Sequence, residues 1–335
     1  MATAFLTGGT GFLGGHVARA LCAAGWSVRL LARDASRLQA RDSSSARASL
    51  LADLPVAVVA GDLSDEDHLA RRLEGVDAIV HVAGLVKARS LADYREVNVE
   101  ATRRLLRAAA RSAPGAVWVH VSSQAAAGPA RDGVPVAEGD ESRPVSWYGQ
   151  SKREGEIAVE EGWKGPWTIL RPGVIYGPGD RGLFVYFRMA AAGWIPLPAG
   201  HSRIQLISAD RAALGIARAA SRADLSERVG FLCDPEPVRI EDLAREIATL
   251  PPRPARVFRV PNAAVRLLGR GETLLETFTR HSRPFNADKA REVLAGDWLC
   301  DGIPMARALA LPAPRPLGEG LRELWDWYRA AGWLR

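Results

Sequence analysis

Residues 6–14 read Leu6-Thr7-Gly8-Gly9-Thr10-Gly11-Phe12-Leu13-Gly14. They follow the apolar run Ala4-Phe5-Leu6 and precede a helical pattern, Val17, Ala18, Leu21 and Cys22, that stops at Gly25. The order is strand, glycine turn, helix. Such a turn lets backbone N–H groups approach a pyrophosphate at a helix N-terminus, where the helix dipole favours negative charge. The spacing is G-x-x-G-x-x-G rather than G-x-G-x-x-G, and on its own a glycine-rich turn is also compatible with a plain tight loop.

The rest of the chain supports the first reading. Short apolar runs at 3–7, 27–32, 56–60, 77–82, 116–121 and 167–171 predict strands, and amphipathic stretches at about 12–24, 65–73, 94–111 and 148–162 predict helices between them. Strands alternating with helices imply right-handed βαβ units and a parallel sheet covered on both faces. The fold class is therefore α/β, a doubly wound parallel sheet. At 335 residues the chain exceeds a typical domain of roughly 100–200 residues, so a large core with an appended lobe is expected.

On such sheets ligands bind at the carboxyl ends of the strands, so the residues after each strand are candidates. After the second strand stands Ala32-Arg33-Asp34. An acid at the strand end would accept from a ribose 2′-OH and favour NAD, whereas Arg33 offers a guanidinium to a 2′-phosphate, so NADP is favoured and NAD remains possible. The alternative has Arg33 on the adenine or in solvent and Asp34 on the ribose. After the third strand, Asp62 could accept from an adenine amino group while Leu63 packs on the ring. After the fourth, Ala83 and Gly84 would let a cofactor lie against the backbone, and His81 reads as a structural residue. After the fifth come Ser122 and Ser123, with Ser123 placed to donate to a substrate oxygen.

Tyr148-Gly149-Gln150-Ser151-Lys152 sets a phenol and an ammonium one helical turn apart on one face. Lys152 is expected to lower the Tyr148 pKa by favouring its anion, since a phenol near 10 transfers protons poorly at neutral pH.

Composition bounds the function classes. Lys plus Arg is 44 against Asp plus Glu 38, a formal charge of +6, with the arginines scattered along helices rather than massed in a run. That reads as a solvated surface rather than a nucleic-acid footprint. Cys22, Cys233 and Cys300 are odd in number and lack Cys-x-x-Cys spacing, which argues against a disulfide framework or a zinc site and for a reducing compartment. No signal segment opens the sequence and no uncharged apolar run reaches 18 residues, so no membrane span and a cytoplasmic location are expected.

Taken together, Gly8-x-x-Gly11-x-x-Gly14, Asp62, His81-Val-Ala-Gly84, Asn98, Ser123, Tyr148-x-x-x-Lys152 and the run Arg171-Pro172-Gly173-Val174-Ile175-Tyr176-Gly177-Pro178-Gly179-Asp180 follow the order found in extended short-chain dehydrogenases/reductases. The resemblance covers about residues 1–215 and includes the NAD-dependent epimerase/dehydratase family. It implies a Rossmann-type domain over residues 1–180, with further core elements at about 204–235, and a smaller C-terminal substrate lobe with a last helix over 181–335. It implies that Gly8, Thr10, Gly11, Phe12, Leu13, Gly14, Ser122, Pro172, Gly173 and Val174 line the cofactor. Tyr148 would be the acid/base, Lys152 would bond the nicotinamide ribose, Ser123 would polarise the substrate oxygen, and Asn98 would support the site from below. Hydride would pass to or from a carbon bearing oxygen while Tyr148 gives or takes the proton. Helices at about 94–111 and 148–162 commonly form a four-helix contact in such proteins, so a homodimer is expected.

The C-terminal third decides the substrate. Nucleotide-sugar enzymes of this group usually carry His-Val-Asp-Asp where this chain has Ser208-Ala209-Asp210-Arg211 after Ile207, and their later diphosphate signature is replaced by His281-Ser282-Arg283-Pro284-Phe285-Asn286. Residues 258–280 are instead rich in apolar side chains, Leu267 and Leu268 among them, which resembles the 3β-hydroxysteroid dehydrogenase and dihydroflavonol reductase-like branch. These side chains could equally form the lobe's own core. Three readings follow: an NADP-favouring oxidoreductase of a small, rather apolar carbonyl or hydroxyl compound; a nucleotide-sugar epimerase/dehydratase with arginines such as Arg188, Arg203 and Arg283 gathered on a diphosphate; or a non-catalytic dinucleotide-sensing or interaction protein, which the presence of Ser123, Tyr148 and Lys152 disfavours.

Overall fold

The computed structural model describes residues 1–34, 50–51, 53–279 and 285–334, with side chains left aside over 274–279. Residues 35–49, 52, 280–284 and 335 lie outside the described residues, and with them nearly all of the short Ser/Ala/Arg stretch at 40–50, whose composition predicts a surface loop.

In chain order the strands are β1 Thr3–Thr7, β2 Ser27–Ala32, β3 Val56–Ala60, β4 Ala78–His81, β5 Val117–Val121, β6 Trp167–Pro172, β7 Val174–Tyr176, β8 Trp194–Pro198, β9 Arg203–Ile204, β10 Leu206–Ser208, β11 Arg228–Leu232, β12 Val238–Arg239 and β13 Arg256–Val260. Seven of them form one parallel sheet in the order β11-β6-β5-β4-β1-β2-β3. The chain runs outward from β1 to β3 and then crosses to β4 on the other side of β1. That reversal opens a crevice beyond the carboxyl ends of β1 and β4, where ligands of doubly wound sheets bind.

Both sheet faces are apolar, as buried parallel strands require. On one face, Leu6, Leu30 and Val119 pack with Val17 and Leu21 of the helix Phe12–Ala23 and with Ile216 of the helix Ala209–Ala219. On the other, Phe5, Ile79 and Trp118 meet Leu69, Leu105 and Val159 from the helices Glu66–Leu73, Ala101–Ser112 and Trp147–Gly162. Every side chain of β4 and β6 is buried.

The helix expected at 94–111 begins earlier, at Leu91, and is not regular. Leu91–Arg95 is α-helical, Glu96–Glu100 forms a π turn, and Ala101–Ser112 resumes the α-helix. Ser90 caps its start by accepting from Asp93 N at 3.1 Å.

The C-terminal part has its own apolar core, in which Phe187 and Ile195 meet Leu243, Ile247, Leu324 and Tyr328. The last helix, Leu317–Ala330, buries Leu321, Leu324, Trp325 and Tyr328, and the Tyr328 hydroxyl donates to Asp180 O at 2.9 Å. Among the described residues no helix is long and apolar enough to cross a membrane.

Candidate active site

Gly8 stands at φ +74°, and a Cβ there would lie 2.5 Å from Ala83 N, so only glycine fits between the ends of β1 and β4. A Cβ on Gly14 would lie 2.0 Å from Gly8 O, so the helix closes directly on the turn. Gly11 N donates to Gly8 O at 2.9 Å, and Gly11 starts the helix Phe12–Ala23, whose first turn has no acidic residue. Thr10 is exposed and Gly11, Phe12 and Leu13 are half-buried around the mouth of this cradle. The sequence reading missed His16, whose ring bonds Asp210 at 2.7 Å and Pro178 O at 2.9 Å, tying this helix to the far side of the crevice.

Beneath the crevice runs a column of hydrogen bonds with one consistent direction. Ala83 N donates to Thr7 Oγ1 at 3.3 Å, and Thr7 Oγ1 is 2.7 Å from His81 Nδ1. His81 Nε2 is 3.0 Å from Thr102 Oγ1, which donates to Asn98 O at 3.0 Å. Because the Thr102 proton is committed to a carbonyl, His81 must donate from Nε2 and accept at Nδ1, which assigns the neutral tautomer. Burial, with the charge of Lys152 adding to it, pushes His81 down to about 3, so it stays neutral and structural as expected.

The π turn aims Asn98 upward. Its Oδ1 accepts from Leu85 N at 2.7 Å, and its Nδ2 donates to Leu85 O at 3.0 Å and to Ser151 Oγ at 2.9 Å. Ser151 donates in turn to Tyr148 O at 2.8 Å. Asn98 therefore joins the loop after β4 to the tyrosine helix. Gly84 completes the junction, since a Cβ there would stand 3.3 Å from Asn98 Oδ1 and 3.6 Å from Lys152 Nζ.

Ser123 follows β5, caps the short helix Gln124–Ala127 by accepting from Ala125 N at 3.1 Å, and stands near enough to the Tyr148 hydroxyl to favour its anion. Lys152 is buried and donates to Val121 O at 2.7 Å. Ser123, Tyr148, Lys152 and Asn98 are thus brought together. The expected electrostatic coupling differs. Burial pushes Tyr148 up to about 12, with Ser123 opposing and the Glu292 charge adding, while burial pulls Lys152 down to about 8. Lys152 is not among the groups acting on the phenol, because its ammonium is turned to the Val121 carbonyl and desolvation drives both side chains towards their neutral forms.

The sequence reading also missed what holds the tyrosine helix from its other end. Ser146 caps it, accepting from Gly149 N at 3.0 Å and donating to Glu292 at 2.5 Å, and Trp147 N donates to Asp288 at 2.9 Å. Both carboxylates are buried and come from the helix Ala287–Leu294. No local signal pairs residues 146 and 292, and only folding brings them together. Tyr94, the other phenol of this corner, has its ring 6.0 Å from that of Tyr148.

Further along the crevice, Asp62 accepts from Ser64 N at 2.8 Å and Ser64 Oγ at 2.5 Å. These bonds, helped by Arg33 and Arg104, hold its carboxyl below the usual range. Arg33 is exposed just past β2, and Leu63 is half-buried. Gly173 lies where a Cβ would meet Gln205 O at 2.6 Å, between Pro172 at the end of β6 and the half-buried Val174. Ser122 Oγ is buried and has no partner among the described residues. The cradle that a Cβ would fill at Gly8 and Gly14, the bare Gly84 beside Lys152 and this orphan hydroxyl fit a dinucleotide laid along the strand ends.

Of the arginines of the nucleotide-sugar reading, the one described in a bond is committed within the fold. Arg203 is engaged by Asp297 at 2.6 Å and 3.0 Å, Arg188 is exposed on the helix Phe184–Ala191, and Arg283 lies outside the described residues. Ser208 caps the helix Ala209–Ala219, accepting from Arg211 N at 3.3 Å.

A parallel sheet with this switch point, this glycine cradle and a Ser, Tyr and Lys at its mouth defines an NAD(P)-dependent enzyme of the extended short-chain class. The sequence profile of the NAD dependent epimerase/dehydratase family matches residues 4–224, and the chain belongs to that family. It is 34% identical to a ceramide reductase of Caulobacter vibrioides over 98% of this chain and 95% of that protein. It is 30% identical to a 4-hydroxy-2-methyl-3-oxo-4-farnesyl-3,4-dihydroquinoline-1-oxide ketoreductase of Stigmatella aurantiaca over 83% of this chain and 82% of that protein. The dTDP-glucose 4,6-dehydratase of Streptomyces venezuelae, solved with NAD bound, superposes with a TM-score of 0.77 over 99% of each chain at 22% identity, a likeness of fold alone.

Proposed function

We propose that the protein is an NADP(H)-favouring reductase of a ketone carried by a long, apolar molecule. The observation that carries the reading is the approach of Ser123 to the Tyr148 hydroxyl at the mouth of the glycine cradle, with Lys152 beside Gly84. Two hydroxyls on one point can bind a carbonyl oxygen and protonate it as charge develops. The dinucleotide supplies hydride when bound.

Gly8, Thr10, Gly11, Phe12, Leu13 and Gly14 would hold its pyrophosphate, Arg33 its 2′-phosphate, and Asp62 and Leu63 its adenine. Ala83, Gly84, Ser122, Pro172, Gly173 and Val174 would flank the nicotinamide end, with Lys152 turning from Val121 O to the ribose. Tyr148, kept protonated near neutral pH, holds its proton at the reacting oxygen, Ser123 orients that oxygen, and Asn98 keeps the tyrosine helix in register through Ser151.

The apolar substrate is supported by the engaged Arg203, by Ser208 serving as a helix cap, and by relatives named for ceramide and a farnesylated quinoline oxide. The test compares oxidation of NADPH and NADH with a long-chain N-acylated amino ketone and with dTDP- and UDP-glucose as acceptors. NADPH preferred at least tenfold with the lipid ketone alone turning over is the expected outcome. Tight NAD(H) with conversion of a sugar nucleotide would overturn it. The homodimer through the helices Ala101–Ser112 and Trp147–Gly162 belongs to the same proposal and is checked by sedimentation velocity.

A further inference from the structure

The helix Asn262–Thr279 has an inner and an outer side of opposite character. Val265, Gly269 and Thr273, four residues apart, form the inner side. Val265 is buried, a Cβ on Gly269 would lie 2.9 Å from Ala290 Cβ, and Thr273 Oγ1 accepts from Ala287 N at 2.9 Å. The helix is thereby seated on Ala287–Leu294. Leu267 and Leu268 point away and are 71% and 57% exposed. They are therefore no part of the buried core of the lobe, one of the two roles the sequence left open.

The charge around them is one-sided. Residues 250–271 hold five arginines and no acidic residue. Arg259 pairs with Glu241, but Arg253, Arg256, Arg266 and Arg270 have no ion pair among the described residues. Several surface arginines elsewhere are matched, as Arg95 is by Glu154, Arg104 by Glu96 and Arg107 by Glu66, whereas others such as Arg71, Arg188 and Arg329 stand singly without an ion pair among the described residues; here four such arginines fall within 18 residues of one another beside exposed leucines. Just before the helix, the parallel pair β8–β13 shows Trp194 and Phe258 on its outer face, 47% and 46% exposed, and runs into the helix through Pro261.

We propose that the outer side of the helix Asn262–Thr279, with its flanking arginines, docks on an anionic lipid bilayer. Exposed leucines beside unpaired arginines suit an interfacial helix, whose apolar side enters the acyl boundary while cations meet lipid phosphates. Aromatic side chains such as Trp194 and Phe258 suit the headgroup level. A second copy of this chain is disfavoured as occupant, because a two-fold contact through this face would oppose Arg266 and Arg270 to their own counterparts, and the nearest acid, Glu272, is already in an interaction of its own. The docked helix lies one helix away from Tyr148, since Ala287–Leu294 touches both Gly269 and the Ser146–Trp147 cap.

The test is co-sedimentation of the full chain with large vesicles of phosphatidylcholine, alone or mixed with phosphatidylglycerol, in low and high salt. Binding to the anionic vesicles at least tenfold tighter than to the neutral ones, weakened by salt, is expected. Leu267→Asp with Leu268→Asp, and separately Arg266→Glu with Arg270→Glu, should each lower it at least tenfold while the thermal transition stays in place. Equal binding to neutral vesicles, no binding by the parent protein, or full binding by both variants would overturn the proposal. So would self-association in light scattering that the leucine variant abolishes in the absence of vesicle binding. Vesicle binding is read without cofactor or substrate, so its failure leaves the reductase reading untouched and the converse holds.

Discussion

Two helices of this protein handle their side chains in opposite ways. Trp147–Gly162 buries Ser151, Lys152 and Glu156, and each has a partner: Asn98 for the serine, Val121 O for the lysine, Arg171 for the glutamate. Asn262–Thr279 leaves Leu267 and Leu268 in solvent and Arg266 and Arg270 unpaired among the described residues. On the first helix each polar group taken from water has its partner in the same chain, which avoids the cost of an orphan, about 1–3 kcal/mol. Where an apolar group is left in water, its partner is sought outside the chain.

The contrast can be broken at several points. The largest effect is expected at Tyr148→Phe, which removes the proton but not the ring. Turnover should fall by about 10²–10⁴-fold while dinucleotide binding persists, as steady-state rates and a nicotinamide fluorescence titration would show. Next is Arg171→Leu. Arg171 meets the fully buried Glu156 through two bonds, at 2.8 Å and 2.7 Å, and stripping the guanidinium leaves that carboxylate with Arg153 alone, at 3.0 Å. A loss of about 3–5 kcal/mol in urea unfolding is expected.

His81 gives a smaller, pH-dependent effect. Its pKa is about 3 in the fold against an ordinary 6.5, so the unfolded chain binds the proton first. The stability it contributes is complete above 6.5 and is lost as pH falls towards 3, at about 1.4 kcal/mol per pH unit. His81→Leu should remove that part of the acid slope and lower stability at pH 7 by orphaning Thr7 and Thr102. Denaturant midpoints taken across the acid range would show both. At the other extreme, Leu267→Ser should change unfolding by no more than about 0.5 kcal/mol, since nothing in the fold rests on it. A large loss there would contradict the outward placement of that leucine.

The same divide explains what the sequence made legible. The six strands from Thr3–Thr7 to Trp167–Pro172 were readable within a residue or so, because apolar runs and glycine turns are local signals of a parallel sheet. Gly8, Ser123, Tyr148 and Lys152 were readable because backbone closeness and helical spacing leave marks within a few residues. The strand Arg228–Leu232 was placed only within a broad core region, being short and carrying a glycine at its centre. The π turn was invisible, since Glu96-Val97-Asn98-Val99-Glu100 has no composition that distinguishes it from an α-helix. The Ser146–Glu292 bond and the approach of Cys233 and Cys300 Sγ atoms to 3.5 Å arise from long-range packing alone. The direction of the Tyr148 shift was misjudged because spacing gives proximity to Lys152 but not the depth of burial, and depth prevailed.

The π turn at Glu96–Glu100 also sets a limit on how this chain can change its length. A single π turn amounts to one residue added inside a helix, so deleting one residue there would restore an unbroken α-helix without breaking the chain's continuity. The α-helical segments on either side would then keep their register, and only the residues inside the wide turn would be re-aimed. Asn98 lies inside that turn and Thr102 beyond it, and both serve the same junction. A one-residue deletion there would leave Thr102 and the flanking helices in place while turning Asn98 away from Leu85 and Ser151, which separates the role of the asparagine from that of the helix that carries it.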